Sequence, residues 1–181
     1  MRATATNTTS WPRHLRSKRL RLRAIDASDF EDETKLDWLS AAEGEVLGAA
    51  HSTSLRARLC AGDAGYWIDL PAAPAAITIG ACSVRLAGPT NDGDLVWCWL
   101  AIDPYYRARG LAAAAVMLVE RAAARAGARR ARVRVAAANG IALYFWLRLG
   151  YRPLAAPAES LDLRADELGD YPGTWMLRDP I

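Results

Sequence analysis

The spacing of apolar residues along the chain changes between period two and period 3.6, which predicts alternating strands and helices. Residues 19–25 place Leu20, Leu22 and Ala24 opposite arginines, as in a half-exposed strand. Short apolar runs predict further strands over 66–70, 77–86, 95–102, 131–136, 151–154 and 174–178. Helical spacing and capping residues predict helices over about 29–42, 45–59, 111–126 and 139–149. We therefore expect one α/β domain over residues 19–181.

The segment from Asp94 to Gly127 is the centre of this prediction. Residues 95–102 are apolar throughout, as expected for a strand buried on both faces, and Pro104 ends that strand because it has no N–H. In the helix that follows, we expect a buried face made of Leu111, Ala115, Leu118, Val119, Ala122 and Ala126. Glu120, Arg121 and Arg125 are expected on its opposite, solvent-facing side.

The connection between this strand and this helix, residues 107–112, has the composition of an anion-binding loop. No Ser, Thr, Asp or Asn stands at the start of the helix, so its first N–H groups are free to bind another partner. The helix dipole favours an anion there. Gly110 allows a close approach of the ligand, and Arg107 and Arg109 add positive charge. A pyrophosphate is a plausible ligand for such a loop.

Composition narrows the class of protein without naming a partner. The chain has 181 residues, 52% hydrophobic residues and a net charge of +3, which suit one globular domain and do not demand a nucleic acid or a membrane. Of the 23 basic residues only Lys18 and Lys35 are lysines, which is typical of a GC-rich genome, and we expect a bacterial protein. Cys60, Cys82 and Cys98 lack metal-binding spacing, so we expect reduced thiols, no metal and a cytoplasmic location.

The beginning of the chain is strongly basic. Seven Arg or Lys residues and no acid lie between Met1 and Arg23. We interpret residues 1–18 as a disordered basic arm. An arm that binds RNA is the alternative, which the absence of interleaved aromatic residues disfavours. No secretory signal or membrane span is evident in the sequence.

Two motifs resemble the GNAT-type acyl-CoA N-acyltransferase superfamily. Residues 102–107 (IDPYYR) together with Gly110 and Ala112 resemble its motif A, in which a strand and a short loop lead into a long helix. Asn139, Ala142, Gly150 and Tyr151 resemble its motif B. The resemblance covers about residues 19–178 and implies a mixed, twisted sheet of about six to seven strands with helices on both faces.

The resemblance also implies a cofactor site. The pantetheine arm of acetyl-CoA would lie between strands 95–102 and 131–136 and pair with backbone near Leu100 and Ile102. Asn139 would contact the cofactor. The pyrophosphate would be held by Arg107, Ala108, Arg109, Gly110, Leu111 and Ala112. A primary amine would then attack the thioester directly, so the resemblance implies an N-acetyltransferase.

The chain departs from the family pattern at the catalytic positions. Trp146 stands where the family has the tyrosine that protonates the leaving thiolate, and an indole is not a usable acid. Tyr144 is a candidate acid, although it lies about 200° around the helix from Trp146. Tyr105, Tyr106, water or no acid at all remain alternatives. The family's glutamate base is missing from residues 95–102, which leaves Asp94 and His51 as candidates.

Three tryptophans on neighbouring strands have two interpretations. Trp97 and Trp99 are two residues apart and are predicted to share one face, and Trp67 lies on a nearby strand. We expect them to pack in the core. The alternative is an aromatic wall for the acceptor.

Two other functions stay open. Trp146 and the missing glutamate allow a non-catalytic acyl-CoA-binding protein, and the basic arm allows an RNA- or ribosome-associated protein. The sequence leaves the small-molecule or peptide acceptor, the acyl chain length and homodimer formation undetermined.

Overall fold

The computed structural model describes residues 11–26, 28–29, 64–72, 74–86, 94–154 and 173–181. Within them, one sheet contains eight strands: β1 (His14–Arg16), β2 (Arg21–Ala24), β3 (Ala64–Leu70), β4 (Ile77–Leu86), β5 (Asp94–Ile102), β6 (Arg130–Ala136), β7 (Arg152–Pro153) and β8 (Gly173–Arg178). The described helices are α1 (Leu111–Arg125), α2 (Gly140–Arg148) and a 3-10 turn at Pro104–Tyr106. None of these described helices has the length and apolarity needed to cross a membrane.

The strands are ordered β1-β2-β3-β4-β5-β6-β8-β7, and among these described strands only β5 and β6 run parallel. A parallel pair needs a crossover connection, which α1 supplies. This is the predicted mixed α/β fold. The sheet has eight strands, one or two more than predicted, because the short β1 lies outside every predicted strand.

The N-terminal boundary of the domain differs from the prediction. His14–Arg16, which fall within the predicted arm of residues 1–18, form β1 and pair antiparallel with Arg21–Arg23 of β2. The Tyr66 hydroxyl donates to the Pro12 carbonyl at 2.7 Å, which attaches the chain before β1 to β3. The sequence did not predict this strand because a charged edge strand and a solvated run of charged residues have similar compositions. The only inward side chain of β1 is Leu15. Residues 1–10 lie outside the described residues.

Both described α-helices pack on one face of the sheet. The core on this face joins Val116 and Val119 of α1 and Trp146 of α2 to strand residues such as Ile68 and Trp97. The predicted apolar face of α1 is confirmed at Leu111, Ala115, Val119 and Ala122, whereas Ala126 is exposed. Glu120 was predicted to face solvent, and this is wrong: its exposed fraction is 4%.

A β-bulge at Cys98 overturns the prediction that Trp97 and Trp99 share a face. Trp97 lies opposite Val84 and Trp99 lies opposite Ser83, so Cys98 is an extra residue in β5. Val84 and Ser83 are neighbours in β4 and point to opposite faces, and the two tryptophans therefore do the same. Both are buried, as is Trp67, which agrees with core packing.

Several predictions fall outside the described residues. They are the helix over about 29–42 beyond Asp29, the helix over about 45–59 with His51, and Cys60.

Candidate active site

The parallel strands β5 and β6 separate part of the way along their length. They pair from Asp94–Arg130 to Trp97–Val133, and the pairing ends there. β5 continues to Ile102, while β6 stays paired with β8 as far as Ala136. The bulge at Cys98 immediately follows the last pair. The two strands thus leave a V-shaped opening within the described part of the sheet, which begins at Trp97.

The β5 edge of this opening carries backbone groups that can bind a ligand. The Asp103 N–H donates to the Ile79 carbonyl at 2.9 Å, so these residues form a hydrogen-bonded pair between β4 and β5. Bonded and non-bonded pairs alternate along an antiparallel ladder. Ile102 and Leu100 are therefore in non-bonded pairs with β4, and their N–H and C=O groups point towards β6, which is where an added strand would pair.

The loop after β5 is shaped as a concavity of backbone N–H groups. Ala108 and Gly110 have φ values of +60° and +71°, in the left-handed region that favours glycine. Gly110 is the N-cap of α1 and provides no side-chain hydrogen bond to the helix. The first bond within the helix runs from the Ala114 N–H to the Gly110 carbonyl at 3.1 Å. The preceding N–H groups therefore face outward at the positive end of the helix dipole, an arrangement that binds anions.

Three arginines surround this loop in different ways. Arg107 turns back towards β5, and its Nε donates to the Ile102 carbonyl at 2.9 Å. Arg109 lies over the rings of Tyr105 and Tyr106, with its guanidinium carbon 5.3 and 5.6 Å from their centroids. Arg19, in the β1–β2 turn, donates from Nη2 to the Arg109 carbonyl at 2.9 Å. The positive charge is thus held close to the loop, partly by a residue 90 positions away.

Helix α2 begins at Asn139, the predicted cofactor contact. The Asn139 side chain accepts a hydrogen bond from the Ala142 N–H at 2.9 Å and caps the helix. The side chain is half-buried, next to the C-terminal end of β6. It is therefore at the same edge of the sheet as the loop of residues 107–112, on the other side of the opening.

The two aromatic candidates on α2 point in opposite directions. Trp146 has an exposed fraction of 5% and contacts Trp97 and Tyr151, with ring centroids 5.6 and 4.8 Å apart. Tyr144 has an exposed fraction of 61%, and its hydroxyl is 3.5 Å from Arg148 Nη1. The side of α2 that faces the start of the opening therefore presents an indole, and Tyr144 faces away from it.

A buried ionic cluster lies behind this indole. Glu120 Oε1 accepts a hydrogen bond from the Tyr151 hydroxyl at 2.6 Å, and Oε2 contacts Arg178 Nη1 at 2.7 Å. Burial raises the pKa of Glu120, an effect that Tyr151 and Arg178 oppose. Burial, and then the charge of Glu120, raise the pKa of Tyr151 well above its ordinary value. Tyr151 is consequently a permanent hydrogen-bond donor and not an acid.

Asp94, one candidate base, is engaged elsewhere. Its exposed fraction is 2%, and Oδ1 contacts Arg130 Nε at 2.8 Å. It lies at the closed end of the β5–β6 pair, away from the opening. Among the described residues no group of three or more His, Cys, Asp and Glu could hold a metal ion.

Sequence patterns missed three features of this site. The bulge at Cys98 has no glycine or proline signal. Arg19 reaches the loop only through the folding of the β1–β2 turn. Glu120 could have been suspected, since it directly follows the apolar Val119 in a helix that packs closely on the sheet.

Known proteins resemble this chain in fold. Solved structures that match include a GNAT-family protein from Chromobacterium violaceum (TM-score 0.68, 14% identity, 99% of this chain and 96% of that chain). An acetyltransferase from Thermus thermophilus matches with a TM-score of 0.65 and 21% identity over 92% of this chain and 99% of that one. The ribosomal-protein-S18-alanine N-acetyltransferase from Escherichia coli matches with a TM-score of 0.61 and 12% identity over 89% and 94%. No curated protein sequence is significantly similar to the chain.

The match to a sequence family is more specific. The acetyltransferase (GNAT) family matches residues 5–151, most of the chain, including β5, the loop of residues 107–112, α1 and α2. Members of this family transfer acyl groups from acyl-CoA. The chain belongs to the GNAT acetyltransferase family.

Proposed function

We propose that the protein is an N-acetyltransferase that moves the acetyl group of acetyl-CoA to a primary amine by direct attack. The observation that carries this proposal is the continuity of the opening between β5 and β6 with the uncapped start of α1. The pantetheine amides would pair with the backbone of Leu100 and Ile102, and the pyrophosphate would meet the N–H groups that follow Gly110. Asn139 would contact the cofactor from the other side of the opening.

The reaction then depends mainly on placement of the two reactants. The neutral amine attacks the thioester carbonyl, forming a C–N bond and an oxyanion, and the C–S bond breaks as coenzyme A leaves as a thiolate. The ammonium proton passes to water. The backbone N–H groups of β5 that point into the opening are suited to stabilise the oxyanion. Positioning alone can remove a large part of the barrier of such a bimolecular step.

We propose that no side chain of α2 protonates the leaving thiolate. Trp146 cannot donate a usable proton, and Tyr144 is exposed on the opposite side of α2. A thiol of ordinary pKa near 8.5 leaves as its anion without protonation at neutral or mildly basic pH. Tyr144→Phe should therefore leave kcat and its pH profile unchanged. A tenfold loss of kcat in this variant would instead make Tyr144 the acid.

The cofactor is tested by calorimetric titration with acetyl-CoA and with desulfo-CoA. Gly110→Asp places a carboxylate in the anion-binding loop, and Gly110→Asn is the matched control, because both side chains tolerate the left-handed conformation and only one is charged. We expect wild type to bind both ligands and Asp to bind at least about tenfold more weakly than Asn, from charge repulsion at close range. Equal affinity of the two variants would refute the assignment of this loop to the pyrophosphate.

A non-catalytic acyl-CoA-binding protein is the second candidate, favoured by the indole at position 146. The two functions are separated by incubating the protein with acetyl-CoA and a panel of amino acids, polyamines, aminoglycosides and peptides, and detecting acetylated product by mass spectrometry. Binding without turnover on the whole panel would favour the binder.

A further inference from the structure

One peptide unit of the anion-binding loop is held in place from outside the loop. It joins Arg109 to Gly110 and consists of the Arg109 carbonyl and the Gly110 N–H. The carbonyl accepts a hydrogen bond from Arg19 Nη2 at 2.9 Å. Because a trans peptide is planar, its C=O and N–H point in opposite directions. The contact with Arg19 on one side therefore directs the Gly110 N–H to the other side.

The backbone that follows this peptide unit determines what the Gly110 N–H faces. Gly110 has a φ of 71° and a ψ of 12°, in the left-handed region, and Leu111 begins the right-handed helix α1. A left-handed residue followed by a right-handed one turns successive N–H groups towards one point and forms a concavity that binds anions. The N–H groups of Gly110, Leu111 and Ala112 form this concavity. The peptide unit held by Arg19 therefore contributes the first of its donors.

The loop needs an external contact of this kind because part of its backbone is strained. Ala108 has a φ of 60°, a left-handed conformation that a residue with a Cβ rarely adopts. Such conformations persist where surrounding contacts hold them. Arg19 bonds the carbonyl of the next residue, Arg109. Loss of this bond would leave the peptide unit between Arg109 and Gly110 freer to rotate and to turn its N–H out of the concavity.

Arg19 is itself held by a turn with its own hydrogen bonds. The turn, residues 17–20, connects β1 to β2. Ser17 Oγ accepts from the N–H groups of Arg19 and Leu20 at 3.2 and 3.0 Å, and the Ser17 N–H donates to the Leu20 carbonyl at 2.9 Å. Leu20 is fully buried in the core. The turn is therefore folded before any ligand binds, and Arg19 approaches the loop from a fixed position.

We propose that Arg19 is a positioning residue of the proposed cofactor site, which orients the peptide between Arg109 and Gly110 so that the Gly110 N–H faces the pyrophosphate. The guanidinium charge beside the carbonyl also polarises this peptide, which makes its N–H a stronger donor. Arg19 therefore acts on the loop in the free protein, before a phosphate is present. This inference rests on the proposed use of acetyl-CoA.

The first test follows the Gly110 amide by NMR in the protein without ligand. In Arg19→Ala the amide resonance of Gly110 should shift, because the hydrogen bond to its own peptide unit is lost, whereas that of Gly127, beyond the other end of α1, should not. Lys18→Ala is the matched control, since it removes one exposed positive charge from the same turn, and it should leave the Gly110 resonance in place. An unshifted Gly110 resonance in Arg19→Ala would overturn the proposal, whatever happens to binding.

The second test measures binding of acetyl-CoA to the same variants by calorimetric titration. Arg19→Ala should bind about fivefold more weakly, as expected for the loss of one exposed charge-assisted hydrogen bond, with an unchanged free energy of unfolding. Lys18→Ala should change the affinity less than about twofold. Arg19→Lys keeps a charged donor in the turn and should recover part of both the Gly110 resonance and the affinity. Recovery of the affinity alone would show that the charge attracts the phosphates without orienting the peptide, and it would overturn the proposal.

The result for wild type separates this inference from the cofactor proposal. If wild type and Arg19→Ala bind acetyl-CoA equally well, Arg19 has no role in the site, and the cofactor proposal stands. If wild type does not bind acetyl-CoA, both are overturned.

Discussion

Removal of Arg178 from the buried cluster of Glu120, Tyr151 and Arg178 should destabilise the fold by an amount that depends on pH. Arg178→Met removes the partner of a carboxylate whose exposed fraction is 5%. Breaking a fully buried ion pair costs about 3–5 kcal/mol. The Arg178 side chain is 32% exposed, so water can partly solvate the Glu120 carboxylate when the guanidinium is removed. We therefore expect the free energy of unfolding to fall by about 2–3 kcal/mol at neutral pH. Urea unfolding followed by tryptophan fluorescence measures this loss.

The pH dependence of this stability loss distinguishes a broken ion pair from lost packing. Burial raises the pKa of Glu120 above its ordinary value of 4.5, and removal of Arg178 should raise it further. A carboxyl with a higher pKa in the folded state binds protons more tightly there, so its contribution to stability is lost as pH rises from 4.5 through the folded pKa. The difference between Arg178→Met and wild type should therefore be larger at about pH 8 than at about pH 5.

Two further variants complete the experiment. Glu120→Gln in the Arg178→Met background should restore about 1–2 kcal/mol at about pH 8, because a neutral amide still accepts the hydrogen bond of the Tyr151 hydroxyl. Arg148→Met, which removes an exposed arginine of α2, should change stability by less than about 0.5 kcal/mol. The same loss for Arg178→Met at both pH values, with no recovery in the double variant, would refute the electrostatic explanation.

Three other predictions concern the sheet and its opening. Gly80→Ala should cost about 2 kcal/mol in urea unfolding, because a Cβ there would lie 2.6 Å from the Ala101 carbonyl oxygen. Gly140→Ala, with no atom within 4 Å, should be neutral or stabilising, and an equal loss in both would contradict this reasoning. Iodoacetamide should modify half-buried Cys98 but not Cys82, because burial raises the pKa of the Cys82 thiol to about 12. Coenzyme A should protect Cys98 from the reagent. Mass spectrometry of the native protein after treatment measures the modification of each cysteine. Trp146→Tyr should lower the free energy of unfolding by about 2 kcal/mol and should not raise kcat, because position 146 is buried. A higher kcat with a new pH dependence would show instead that a side chain at this position reaches the thiolate.

The local features of the site could be predicted because each follows from a few adjacent residues. Two of these features depend only on residues close in sequence: α1 begins without a capping side chain, and Asn139 caps α2. The structure shows both. The strands β4 and β5 were predicted within one residue of their observed bounds, since Pro104 and a change of period mark the end of β5.

The features that depend on tertiary packing could not be predicted in this way. Period two alone placed Trp97 and Trp99 on one face, and a single extra residue at Cys98 reversed this. Helical periodicity predicted that Glu120 faces solvent. The pattern of one helix carries no information about the partner of Glu120, Arg178, which is 58 residues away. In both cases the deciding contact is distant in sequence.

The indole at position 146 is explained by its neighbours more readily than by catalysis. Trp146 fills the space between Trp97, at the last β5–β6 pair, and Tyr151, whose hydroxyl binds Glu120 of α1. It therefore joins the point at which the strands separate to the helix that begins at the anion-binding loop. In the proposed cofactor site, a rigid connection between these elements would fix the distance between the thioester end and the pyrophosphate end. Since a thiolate leaves without an acid at mildly basic pH, a side chain that fixes this distance can replace one that donates a proton.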